Sequence, residues 1–167
     1  MMSLNYCLRK SAHGDNVSAY EAAKIMHFEK YSEVTVQAKL RKAASLGNVD
    51  AMRWLGFLGL SGNLISPEST ITKVSYYSTY DQAYHWFLEG SKKGDALSIF
   101  VVGICLQYGI GTRQDIQKSE KIMSAVLNDT SFDMVLPIIF LVNTLHSSNS
   151  SEVKQTSSNF IEKILCG

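Results

Sequence analysis

The sequence predicts an all-α fold, an α/α solenoid of about three to four helical hairpins with a C-terminal helical cap. Three observations predict it. Gly47, Ala51, Leu55, Gly56 and Gly62 return as Gly94, Ser98, Val102, Gly103 and Gly109 at one constant offset of 47 residues, and self-similarity at a fixed period marks stacked helical units. About eight segments space their apolar residues at the helical period, with little of the alternation expected of strands. Glycines at 94, 103, 109 and 111 punctuate residues 80–125 into helix, turn, helix, loop and helix.

Composition bounds the answer. A chain of 167 residues with 46% hydrophobic content is long enough for one domain over residues 1–167 that buries about two-thirds of its unfolded surface. With 16 Lys+Arg against 15 Asp+Glu the formal charge is +1, which suggests neither a nucleic-acid groove nor a polybasic membrane face. The first nine residues are already polar and charged, unlike a secretory leader, and the longest aliphatic runs, 99–106 and 135–142, are too short to span a bilayer. A soluble cytoplasmic protein is the expectation. Cys7, Cys105 and Cys166 are an odd number without the paired spacing of a zinc site, so each reads as a small packed side chain.

The elements follow in order. Residues 4–13 place Leu4, Leu8, Ser11 and Ala12 near the helical period before Gly14. Residues 18–28 do the same with Ala19, Ala22, Ala23 and Met26, and residues 34–46 with Val36, Leu40, Ala43 and Ala44 before Gly47, a C-cap candidate. Asn48 or Asp50 caps the next helix, 51–60. Its Gly56 and Gly59 each cost roughly 1 kcal/mol relative to alanine in a helix, which points to close helix–helix approach. Residues 62–79 break the pattern with Pro67 and a run of serines and threonines; they read as a long insertion loop with a candidate short strand at 70–77. Helices resume at 81–93 and 95–108. The second of these is apolar almost all round, as expected of a helix between two layers or one with a face kept for a partner. Helices at 116–127 and 133–145 form a further pair, 147–158 is a polar loop, and 159–165 ends the chain with a last turn or two.

The unit built by these residues resembles the Sel1-like repeat, a relative of the tetratricopeptide repeat. The last full unit supplies Ser98, Val102, Gly103, Gly109, Gly111, Asp115, Lys118 and Ser119, with Ile122 where tryptophan is usual. The previous unit supplies Ala51, Leu55, Gly56 and Gly62 and, beyond the insertion, Ala83, Trp86 and Gly94. Residues 6–14 and 39–47 look like the ends of two further second helices, Lys39 standing at a tryptophan position. The likeness covers most of 3–127, and 130–167 reads as a divergent cap. It implies hairpins that complete one another's core, with small residues letting helices approach.

Chemistry finds little support in the pattern. His13, His27, His85 and His146 lie in separate segments, and no metalloprotease, nucleophile-elbow or phosphate-loop motif is present. His85 beside Cys105 could form a thiol site, but Trp86 and Phe87 make packing the better account. Glu89, Asp95 and Asp115 read as caps or solvated faces, the GIG at 109–111 as a hairpin loop, and Trp54 and Trp86 as core aromatics. No catalytic residue, metal or cofactor is expected.

The resemblance implies that first helices of successive hairpins line a concave side. On that basis Tyr20, Lys24, Arg53, Phe57, Phe100, Ile104 and Gln107 are expected to form one protein-binding row, aromatics beside arginine being good anchors. Tyr76 and Tyr77, with Tyr80, form a second candidate surface at the insertion's edge. The expected function is a protein–protein interaction module, a small adaptor or inhibitor. The alternatives are an immunity protein neutralising a bacterial toxin or effector, an enzyme with a cleft beneath the insertion, and a homo-oligomeric module.

Overall fold

The computed structural model describes residues 2–65 and 79–127. Among them run seven helices and no strand: α1 (Leu4–Ala12), α2 (Asn16–Phe28), α3 (Glu33–Ser45), α4 (Val49–Leu60), α5 (Thr79–Lys92), α6 (Ala96–Tyr108) and α7 (Ile116–Leu127). The fold is an all-α helical repeat, as expected. Tyr76, Tyr77, the strand at 70–77, most of the insertion and everything expected beyond residue 127 lie outside the described residues. Two compact units are present: α1 to α3 with α4 as far as Leu55, and α4 from Gly56 onward with α5 to α7.

One junction recurs at the start of each hairpin. Gly14, Gly47 and Gly94 take left-handed φ values of +88°, +95° and +80°, which end a helix cheaply only without a Cβ. The next residue caps the helix that follows. Asp15 accepts from the Ser18 amide and hydroxyl, Asn48 accepts from the Ala51 amide at 2.9 Å, and Asp95 accepts from the Ser98 amide at 3.0 Å and hydroxyl at 2.6 Å. Of the two capping residues expected for α4, the structure selects Asn48. These bonds satisfy helix-terminal amides that would otherwise lack partners. They also explain why α2, α4 and α6 begin within two residues of the three glycines.

In the first unit α2 packs between α1 and α3. Ala19, Ala22 and Ala23 on α2, with Ala43 and Ala44 on α3, are almost wholly buried, and Val36, Leu40 and Met26 fill the space that these small residues leave. Asn16 ties hairpin to hairpin: its Nδ2 donates to the Leu46 carbonyl at 3.2 Å, and its own carbonyl accepts from Asn48 Nδ2 at 3.5 Å.

In the second unit α6 packs between α5 and α7. Eight of its residues are buried, among them Phe100, Val101, Ile104 and Cys105, so its all-round apolarity is accounted for by its place between neighbours. The close approaches expected of the helical glycines are present. A Cβ at Gly59 would lie 2.7 Å from the Ala83 Cβ, and one at Gly103 would lie 2.6 Å from the Met123 sulfur. Ser119 stands at an alanine position of the repeat, and its buried hydroxyl donates to the Gly103 carbonyl at 2.7 Å. The 109–111 loop is a packing feature: Gly111 sits so close to the Tyr80 carbonyl that any side chain would collide with it.

Candidate functional site

The most developed surface feature of the first unit lies where α2 meets the N-terminal half of α4. Tyr20, Lys24 and His27 fall at i, i+4 and i+7 of α2 and therefore share a face. Trp54 of α4 lies between the two rings. Its centroid is 6.2 Å from that of Tyr20 and 5.2 Å from that of His27, with interplanar angles of 83° and 88°. Such edge-on pairs contribute about 0.5–1.5 kcal/mol beyond the area they bury.

Polar and charged side chains surround these rings in pairs. Lys24 Nζ lies 5.2 Å from the Tyr20 centroid and 2.7 Å from Glu21 Oε1, and the Glu21 hydrogen bond raises the Lys24 pKa above its ordinary value. Arg53 Nη1 is 3.2 Å from Asp50 Oδ1, and His27 Nδ1 is 3.4 Å from Glu33 Oε1. Partial burial, then the Asp50 carboxylate, push the Tyr20 phenol up, so it remains a hydrogen-bond donor across the neutral range. Tyr20, Arg53 and Trp54 are half-buried while Lys24 and His27 are exposed. Large rings are thus held in fixed orientation with their polar edges toward solvent.

The expected binding row is brought together only in part. Tyr20, Lys24 and Arg53 do cluster. Phe57 and Gln107 belong to the second unit. The Phe57 ring is half-buried and edge-on to Phe87 at 5.1 Å, and the Gln107 carbonyl accepts from Gln114 Nε2 at 2.8 Å. Phe100 and Ile104, expected on the exposed row, are core residues at 1% and 2% exposure. The correction has a physical cause: both helices are flanked on two sides, but Phe100 and Ile104 pack into the apolar cluster of the second unit with Leu60, Phe87 and Ile110, whereas Tyr20 meets the edge of half-buried Trp54 and the exposed Lys24 side chain. Sequence reasoning places Trp54 in the core and gives His27 no binding role, so it finds neither as a candidate site residue. The seven-residue spacing of Tyr20 and His27, with Trp54 next to Arg53, is the signal that could have found them.

Other chemical candidates dissolve into packing. Cys105 is fully buried and its thiol is pushed up to about 12, so it is a neutral thiol at ordinary pH and no partner for His85. Glu89 pairs with Lys92 at 2.6 Å, while Asp95 and Asp115 cap helices. Among the described residues no group of three or more His, Cys, Asp or Glu is placed to hold a metal, and no helix is long and apolar enough to cross a membrane.

No protein-family model matches the sequence, and no curated protein matches it significantly. Solved structures do match. A Sel1 repeat protein from Oxalobacter formigenes superposes with a TM-score of 0.61 at 13% identity, over 92% of this chain and 95% of that one. The chain has the Sel1-repeat fold. A protective antigen of uropathogenic Escherichia coli strains, which displays an SLR fold, superposes with a TM-score of 0.57 at 20% identity over 96% of this chain. This chain spans about a third of that antigen, covering 32% of it. Tyr20 lies on α2 and Trp54 on α4, the first helices of successive hairpins.

Proposed function

We propose that the protein binds another protein through the α2 and α4 face of its first unit, acting as an adaptor or inhibitor without chemistry of its own. The supporting observation is Trp54 held edge-on between Tyr20 and His27 with Lys24 and Arg53 alongside. Pre-oriented rings lose little freedom on association, and tryptophan, tyrosine and arginine dominate measured interface hot spots. Because each cation already has a carboxylate beside it, the face favours a partner that covers the rings and meets both signs of charge at the rim. An immunity protein that seals a toxin surface is one form of this reading.

The test compares native-lysate capture by the wild type with capture by a Lys24→Glu/Arg53→Glu variant of unchanged helicity. A stoichiometric partner lost by the folded variant supports the α2 and α4 face. A partner retained unchanged removes the function from that face. Catalytic turnover by the purified chain would overturn the non-enzymatic reading.

A further inference from the structure

Among the described residues Arg41 is a partly buried cation without a carboxylate beside it. It lies on α3, one turn beyond the buried Gln37. The two side chains grip the main chain of Ile65 from both ends: Gln37 Oε1 accepts from the Ile65 amide at 2.8 Å, and Arg41 Nη2 donates to the Ile65 carbonyl. That single acceptor leaves Arg41 Nε and Nη1 without an acceptor among the described residues. Among those residues no carboxylate lies within ion-pair distance of it, although Lys24, Arg53 and Lys92 each have one.

The surroundings reinforce the imbalance. After Glu33, α3 carries Lys39, Arg41 and Lys42 and no acid. Burial pulls the Arg41 pKa down, and no charge among the described residues opposes this. A guanidinium is a rigid planar fork with five N–H donors, suited to two parallel bonds with a carboxylate or phosphate. Holding such a group partly out of water with one neutral acceptor costs free energy that a bound anion would recover. The Ile65 grip fixes one side of the fork and so prepares the other.

We propose that Arg41 is the seat of an oxyanion site, taking a carboxylate or phosphate group of a ligand on the donors that Ile65 leaves open. The site is separate in its residues from the α2 and α4 face and does not depend on that reading.

The experiment follows the arginine Nε–Hε resonances of the full chain by NMR at constant ionic strength. One arm adds inorganic phosphate and the other an acetylated, amidated tri-aspartate peptide. The expected result is a saturable shift at Arg41 in at least one arm, with little change at the exposed Arg9 and Arg113. Response to phosphate alone or to the peptide alone identifies the source, and either supports the site. Arg41→Lys, with helicity checked, should weaken the response about tenfold by losing the fork. Lys24→Glu/Arg53→Glu should leave it unchanged. No saturable shift in either arm, equal shifts at Arg9 and Arg113, or undiminished binding by Arg41→Lys, read from the peptide and phosphate resonances, overturns the proposal.

Discussion

Gly56 lies against the ring of Phe87, so closely that a Cβ at residue 56 would stand 2.5 Å from Phe87 Cε2. Phe87 is wholly buried and has no room to retreat. Gly56→Ala gains about 1 kcal/mol of helix propensity, but overpacking a filled core costs typically about 1–3 kcal/mol. The contact should win, lowering stability by roughly 1 kcal/mol in urea unfolding. Gly103→Ala should cost less, because its obstacle is the flexible and only partly buried Met123 side chain. Equal losses at the two sites would show that backbone fit to a rigid ring is not what selects glycine at residue 56.

Two serines at alanine positions of the repeat should respond in opposite senses. Ser11 is buried, and its hydroxyl finds no acceptor or donor among the described residues, whereas the hydroxyl of Ser119 donates to the Gly103 carbonyl. One hairpin after Ser11, the matching position is Ala44, which is buried with no hydroxyl to satisfy. A buried unsatisfied hydroxyl costs about 1–3 kcal/mol, and a made hydrogen bond contributes about 0.5–1.5 kcal/mol net. Ser11→Ala should therefore raise the denaturation midpoint, and Ser119→Ala should lower it. Matched thermal melts of the two variants decide the matter.

These residues also show what a sequence can and cannot disclose about this fold. Helix positions are legible because the Gly-Asp and Gly-Asn junctions at 14–15, 47–48 and 94–95 are local chemistry, read within four residues. Close approach at Gly56 and Gly103 is legible because glycine inside a helix is costly unless something demands it. Burial of Phe100 and Ile104 is not, since position in the repeat unit is the same for Tyr20 and Phe100 and only the side chains packed around each distinguish them. The ring arrangement around Trp54 and the grip on Ile65 join residues that are distant in sequence, Gln37 and Ile65 being 28 apart. No periodicity reports such a pairing.

The Ile65 grip makes a residue-specific prediction. Gln37→Leu keeps a buried side chain of comparable length in α3 but deprives the Ile65 amide of its acceptor. Native-state hydrogen exchange at that one amide should accelerate about tenfold, the equivalent of a hydrogen bond contributing about 1–1.5 kcal/mol. Amides of the α3 interior, such as Leu40, should change far less. A uniform acceleration throughout α3 would mean that Gln37 supports the helix as a whole, and an unchanged Ile65 amide would mean that the bond contributes nothing to local stability.

Alkaline unfolding should report on Cys105. Its thiol rises from 9.0 to about 12 because burial opposes the thiolate. Above pH 9 the unfolded chain loses this proton while the folded chain keeps it, so the folded state binds more protons and stability falls as pH rises. The contribution is intact below pH 9 and declines between 9 and 12 at about 1.4 kcal/mol per pH unit for one group. Cys7, Tyr20 and Tyr108 are also raised, chiefly by burial, and add in the same direction. The informative quantity is thus the difference between wild type and Cys105→Ala. The variant should start less stable at pH 7, because a buried sulfur is removed, yet lose stability less steeply between pH 9 and 10.5. Parallel urea midpoints over that range would show that the thiol ionises without unfolding the second unit. Converging midpoints would tie the alkaline limit of the fold to the core position of α6.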